Sequence, residues 1–434
     1  MRFALGIPVE ATCSPRVVIK LVYAGVESRS FAEGSAHLKN LGGLSISDER
    51  IRRATHQAAE ERIAQQDRLV AAYQSKPLPE QTSQKPADVE APDIACVMCD
   101  GGRYQLLDRQ ASATNPTDEP SSDSERRGKH WHESRVALLA TMKGQHHEVD
   151  PQPELPNCME FYAIGSTLSE ISKVGSKPGS KETPEQSIER NKQEQAKKEL
   201  QESLVGPKLV SRNVVASGEN WDSFGPMVAT RAWYQGFAAA KHKAFVSDGS
   251  STIEKLQQTH FPESTSVLDL LHGLGYTMHV ARLTTLEESD TAESYNHWAA
   301  LIWKGRVDEV LEEFDALQKI HGEPPDDCKA EDVREVLRTA RVYYRNHRHR
   351  MNYPEYRRLG YPLTSSLMES TVKQINYRVK GSEKYWSSAG GEKILRLRAD
   401  YLSDDEPMTA FWKSRPRDAT GFRTYRCQPP GIAA

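Results

Sequence analysis

Between residues 94 and 272 the chain breaks into short apolar runs of strand length, and this pattern restricts the fold more than any other feature. Ile94-Ala-Cys-Val-Met-Cys is one run, Arg103-Tyr-Gln-Leu-Leu is a second beyond an Asp-Gly-Gly turn, and Glu133-Ser-Arg-Val-Ala-Leu-Leu-Ala-Thr-Met is a third. Phe224 to His242 then reads as a helix, Lys243-Ala-Phe-Val-Ser-Asp248 as a strand, Thr252 to His260 as a helix and Ser266-Val-Leu-Asp-Leu-Leu-His272 as another short run. Three strands in succession favour antiparallel pairing, and the later alternation with helices favours parallel pairing. The expectation is an α/β fold with a mixed sheet covered by helices on both faces. From about 274 to 350 the signals are almost all helical, and a helix over Ser366–Lys380 follows Pro362. A helical insertion therefore precedes the last core helix.

The ends of the chain differ from this centre. Residues 14–73 read as three helices: one from Pro15 to near Gly25, one capped by Ser28 and ending at Gly42-Gly43, and one capped by Ser47 that runs towards Tyr73. Short helices with glycine turns suit a helix-turn-helix, which would present Arg50, Arg52, Arg53 and His56 to DNA. A plain helical bundle fits the same pattern. Residues 75–92 are rich in Pro and polar residues and read as a linker. Segment 108–130, rich in Ser, Asp, Glu and Pro, reads as disordered, and 172–203 as a solvated Lys/Glu/Gln-rich insert with some helix. After Asp404 the tail is polar and Pro-rich.

No run approaches the roughly 18 apolar residues of a membrane span. Met1 to Val9 is too short for the apolar core of an export signal, and acidic Glu10 follows at once. These features fit a soluble, intracellular protein and no membrane partner. The six cysteines are scattered, so they form no disulfide framework. Cys96 and Cys99 have zinc-like spacing, but a second pair is missing and two cysteines on an apolar strand is the better reading. The formal charge is −3. Residues 330–434 hold 20 Lys and Arg against 12 Asp and Glu, a surplus of +8 that leaves −11 for the rest. Such a basic quarter suits a phosphate backbone, or is an ordinary solvated surface.

Three acids stand at meaningful places. Asp100 ends the first run, Asp248 ends a later strand, and Glu369 lies in the first turn of the helix after Pro362. Carboxylates that converge at strand ends repel unless cations sit between them, and Mg2+ is the natural ion for all-oxygen ligands. Two such ions activate a water or 3′-hydroxyl and stabilise the leaving oxygen at phosphorus. Each acid also has a plainer role. Asp-Gly marks a turn at both aspartates, and Ser366-Leu-Met-Glu369 is a capping-box pattern. Taken singly, each aspartate reads better as a turn residue. Asp269-Leu-Leu-His272 is a weaker constellation, better read alone as a polar pair at a core edge. Basic groups flank Glu369, among them Arg378, Lys380 and Lys384, with Trp386 able to stack on a base or pack in a core.

Tyr361-Pro-Leu-Thr-Ser-Ser-Leu-Met-Glu-Ser-Thr-Val-Lys-Gln-Ile-Asn-Tyr-Arg-Val-Lys-Gly, continued by Glu383-Lys-Tyr-Trp-Ser, closely resembles the C-terminal signature of bacterial insertion-sequence DDE transposases of the Kra type, relatives of the Mutator-like group. Asp100-Gly-Gly-Arg resembles their first acidic motif, Trp131-His-Glu133-Ser-Arg the strand motif after it, and Ser247-Asp248-Gly-Ser the second acidic motif. Asp269-Leu-Leu-His272 resembles the Asp-x-x-His motif of the Mutator-like relatives, and Cys13-Ser-Pro-Arg to Ser45-Ile-Ser the helix-turn-helix region. The resemblance runs in order over about residues 7–402.

It implies an RNase H-like mixed sheet core with a helical insertion, plus an N-terminal all-α helix-turn-helix domain. The implied divisions are a DNA-binding domain at 1–75, a linker at 76–92, core at 93–273, an all-α insertion at 274–360, the last part of the core at 361–402 and a polar tail at 403–434. It also implies that Asp100, Asp248 and Glu369 are catalytic ligands of two Mg2+ ions, with Mn2+ as a substitute, and that Asp269 and His272 lie close by. The expected DNA contacts, from the helix-turn-helix reading and the residues that flank Glu369, are Arg50, Arg52, Arg53, Arg378, Lys380, Lys384 and Trp386. The implied activity is cleavage at transposon ends and transfer of the 3′-hydroxyl into target DNA, by a homodimer or higher synaptic oligomer. Two alternatives use less of the chain: an inactive or domesticated transposase that only binds DNA, and a nuclease that cleaves without joining.

Overall fold

Strand β1 (Ile94–Leu106) is the axis of a six-stranded mixed sheet. β2 (Trp131–Lys143) and β3 (Lys208–Ser217) extend it on one side, each antiparallel to its neighbour. β4 (His242–Ser247) and β5 (Thr265–Leu268) extend it on the other, both parallel, giving the order β3-β2-β1-β4-β5. A two-residue strand, β6 (Tyr385–Trp386), pairs in parallel with the far end of β1. The computed structural model describes residues 13–107, 130–171, 204–381 and 383–415. Most of the segments 108–130 and 172–203, and the tail beyond 415, lie outside the described residues.

Alternation along the strands builds two cores. Cys96, Met98, Leu138, Ala140, Val214 and Val246 face the larger one, and Ala95, Val97, Cys99, Ala137, Leu139 and Phe245 face the smaller. Cys96 and Cys99 therefore point to opposite faces and cannot share an ion, in agreement with the strand assignment. The smaller core is closed by α6 (Trp221–Trp233) and α7 (Ser251–His260). The larger takes α5 (Phe161–Ile171), α8 (Leu270–Thr284), α13 (Ser366–Val379) and α14 (Ser388–Leu402). Helices α9 (Glu288–Trp303), α10 (Val307–His321) and α11 (Val333–His347) form the expected helical stretch, and α12 (Tyr353–Arg358) leads back towards α13.

The N-terminal helices follow their caps. Ser14 Oγ accepts from Val17 N at the start of α1 (Pro15–Glu27), and Ser30, rather than the expected Ser28, caps α2 (Phe31–Gly42) through Glu33 N. Ser28 instead closes α1, and Gly43 ends α2 with φ 62°. The third helix, α3 (Asp48–Gln74), is 27 residues long and reaches α6 and α14. The expected linker contains a short helix, α4 (Leu78–Ser83), and Trp233 Nε1 donates to Glu80 O at 3.0 Å. The start of the expected tail is also folded. α15 (Pro407–Ser414) buries Met408, Phe411 and Trp412 against Val22, Val26 and Ala58 of the first and third helices. The apolar spacing inside a polar run hid this helix.

Part of the basic C-terminal quarter is internal, since Arg350, Arg357, Arg378, Arg396, Arg398 and Arg415 are buried. Arg357 is buried against Asp150 at 2.5 Å and stacks on Trp303 at 4.0 Å. Arg341 and Arg345 share Asp315, Arg396 binds Glu392, and Arg398 binds Glu27. Going the other way, Arg62 of α3 reaches Asp400 of α14 at 2.7 Å. Part of the charge asymmetry of the sequence is therefore complementarity within one fold, as in the pairs Arg357–Asp150, Arg341–Asp315 and Arg398–Glu27. Among the described residues, no helix is long and apolar enough to cross a membrane.

Candidate functional site

The register of β1 and β4 brings the two aspartates together. Ile94 pairs with His242 and Met98 with Val246. Continued by two residues, this register sets Asp100 beside Asp248, on strands about 4.8 Å apart and on the same face of the pleat. Asp100 does not end a strand, as the sequence suggests, because β1 runs straight through Asp100-Gly-Gly. The glycines serve close packing and not a turn. A Cβ on Gly101 would lie 2.7 Å from Glu133 Oε1, and one on Gly102 would lie 2.6 Å from Ser134 Oγ and 3.0 Å from Asn376 Oδ1. Asp248 does stand where β4 ends. Its Oδ1 accepts from Ser250 N at 2.9 Å, and Gly249 turns the chain with φ 96°.

Glu369 enters from α13, which packs across β1 and β2. The expected capping box does not form. The cap is Ser365, one residue earlier, which places Glu369 at the fourth helical position. The cap's own N–H donates to Asp269 Oδ2 at 2.7 Å, so the bond that a capping-box glutamate would make is already taken.

The electrostatics tie these groups to one place. Burial, with the charges of Asp248 and Glu369 added, pushes the Asp100 carboxyl up to about 6, against the pull of the Gly101 N–H and of His272. A carboxylate held under this repulsion is one that a cation would relieve. Among the described residues, no three His, Cys, Asp or Glu side chains converge tightly enough to ligate one ion. The donor chemistry suits a hard divalent cation, with side chains that must close on it.

Asp269 holds this region together. It is 1 % exposed and follows β5 directly. Oδ1 accepts from Leu271 N at 2.7 Å and His272 N at 3.1 Å, capping α8. Oδ2 accepts from Ser365 N and Ser365 Oγ at the start of the Glu369 helix. Its own N–H donates to Ser247 O, next to Asp248. The Asp-x-x-His pattern is thus a helix cap that links the strand of one acid to the helix of another. His272 stands in the first turn of α8, close enough to act on Asp100.

Sequence reasoning missed the wall supplied by the helical insertion. Tyr343 OH donates to Asp248 O at 2.9 Å, and its ring stacks on Tyr276 at 4.0 Å. A Cβ on Gly249 would lie 2.9 Å from His347 Nε2, so α11 lies directly over the Asp248 turn. Arg350 is fully buried behind it and donates to Ser247 Oγ at 2.5 Å.

The expected DNA contacts divide. Arg50, Arg52 and Arg53 are exposed at the start of α3, but Arg52 and Arg53 both bond Glu49 and hold its carboxyl down to about 2. Lys380 is exposed near Trp131. Arg378 is no surface contact. It is 1 % exposed, donates to Gly25 O at 2.9 Å and Arg29 O at 3.2 Å, and lies between the rings of Phe31 and Trp386. Lys384 Nζ donates to Tyr377 O and Arg378 O. Trp386 packs against the larger core with Nε1 on Val379 O. Compared with known protein families and with curated proteins, the chain finds no match in either.

Proposed function

We propose that the chain is a metal-dependent enzyme that cuts and joins DNA, of the DDE transposase class that its motifs resemble. The observation that carries this reading is the parallel register of β1 and β4, which ends at Met98 and Val246, two residues before Asp100 and Asp248, with the charges of Asp248 and Glu369 both acting on the Asp100 carboxyl. The sheet order and its mixed polarity agree with an RNase H-like core, and the three N-terminal helices agree with a helix-turn-helix region. In this reading Asp100, Asp248 and Glu369 hold two Mg2+ ions. Bound there, the ions would activate water or a 3′-hydroxyl and stabilise the leaving oxygen.

The rest of the work belongs to the chain. Asp269 sets the distance between β4 and α13, the Tyr343 hydroxyl pins the Asp248 turn, and the exposed arginines at the start of α3 meet the backbone. The test is cleavage and strand transfer on DNA carrying the element's own ends. Wild-type protein is expected to join these ends only with Mg2+ or Mn2+, and Asp248→Asn to lose joining while still binding the duplex. Undiminished joining by that variant would sink the assignment. Duplex binding with no cleavage by the wild type would favour the DNA-binding alternative, and cleavage without joining the nuclease.

A further inference from the structure

A recess of about 370 Å³ opens between the N-terminal helices and the segment that follows α13. Its wall includes Arg29, Arg52, His56, Arg378, Lys384 and Gly390. We infer that this recess binds one backbone phosphate of DNA, gripped jointly by the N-terminal helices and by the α13–α14 connection. The inference rests on the DNA-processing reading and adds a defined anchoring point to it.

Four observations converge on an anion. Arg378 is almost wholly buried at the recess, and its Nη2 has no hydrogen-bond partner although Nε and Nη1 are both engaged. His56 Nε2 is likewise buried with no partner, and in the tautomer protonated at Nε2 this neutral imidazole donates into the recess. Lys384 gives two of its three ammonium protons to the carbonyls that end α13, which leaves one for a ligand. Finally, α14 starts here. It is a 15-residue helix capped by Ser387, whose Oγ accepts from Gly390 N at 3.1 Å, and Gly390 adds no side chain at the wall of the recess. Helix N-termini favour phosphate through their unpaired N–H groups and dipole.

Glu383 is the one carboxylate on the wall among the described residues, and it is exposed, against Arg29, Arg378 and Lys384 and the Arg52 that Glu49 already pairs. The exposed Arg52 makes the recess continuous with the basic start of α3, which is why a backbone phosphate is the fitting source. A phosphate held there would brace α2 and α3 against the helix that carries Glu369.

The experiment compares full-length wild type with Lys384→Met, a variant that keeps the half-buried stem and removes the charge. Two readouts are needed: thermal stability in inorganic phosphate against chloride at equal ionic strength, and the salt dependence of duplex binding. The salt slope is expected to fall by about one phosphate contact in the variant. Any phosphate-induced rise in Tm should disappear with it. A reduced slope supports the site even where free phosphate binds too weakly to register. An unchanged slope overturns it, including the case in which inorganic phosphate binds wild type and not the variant, because the source is then not DNA. Arg52→Gln, at the exposed mouth, repeats the slope measurement in a second position. Neither readout uses metal or catalysis, so loss of joining in Asp248→Asn tests the enzyme reading separately.

Discussion

Asp100→Asn is expected to give a protein that is more stable than wild type without divalent ions and inactive on DNA with them. The Asp100 carboxyl rises from its ordinary 3.8 to about 6 in the folded chain, first through burial and then through Asp248 and Glu369. The folded state therefore holds this proton more tightly than the unfolded one between about pH 4 and pH 6. Stability falls as pH rises through that window, and the full penalty stands above it. A gap of about two pH units corresponds to about 3 kcal/mol. The asparagine keeps the Oδ1 that accepts from Gly101 N at 2.6 Å and removes the charge, so most of that penalty is recovered near neutral pH. Mg2+ should stabilise the wild type by binding only the folded form, and stabilise the variant much less. Denaturant unfolding in chelator and then in excess Mg2+ measures both terms. A variant less stable than wild type in chelator near neutral pH, or a wild type whose stability is flat across the acidic window, would refute this account of the site.

Local signals in the sequence located the elements whose ends are chemically marked. α1 starts at Pro15 and α3 directly after Ser47 as the sequence suggests, although the Ser47 side chain makes no capping bond, and the β4 strand and α13 lie within a residue or two of their expected bounds. The failures share a cause, which is that the deciding partner is remote in sequence. Asp-Gly-Gly reads as a turn because the crowding by Glu133, Ser134 and Asn376 that keeps it straight comes from another strand and another helix. The strand β3 was not expected. It is an edge strand whose first residues, Lys208-Leu-Val, are exposed, so only its second half carries the alternation of a core strand. Arg378 reads as an exposed cation until Gly25 and Arg29, some 350 positions earlier, are seen to accept two of its protons. The acids of the candidate site were legible as types and in order. Their juxtaposition depends on a parallel register that nothing local specifies, and the tyrosine and histidine over Asp248 arrive from an insertion whose helical pattern gives no sign of which face meets the sheet.

Asp269→Ala is expected to cost about 4 kcal/mol and to lower DNA cleavage further than the loss of folded protein explains. The carboxylate caps α8 through two backbone N–H groups and receives both the N–H and the hydroxyl of Ser365. Losing a helix cap costs about 1–2 kcal/mol, and each buried donor left without a partner about 1–3 kcal/mol. Alanine also removes the bond that fixes the start of α13 against β5, and with it the position of Glu369. Asp269→Asn separates the two effects. Its Oδ1 still serves Leu271 and His272, but its amide nitrogen now faces the Ser365 N–H, donor against donor. That variant should retain most of the stability while its turnover falls, with duplex binding unchanged. Urea unfolding and single-turnover cleavage at saturating Mg2+ report the two quantities independently. If Asp269→Ala loses less than about 1 kcal/mol, the cap is not what holds this junction. If Asp269→Asn cleaves as well as wild type, the link to Ser365 does not position Glu369, and the acids are set by the sheet alone.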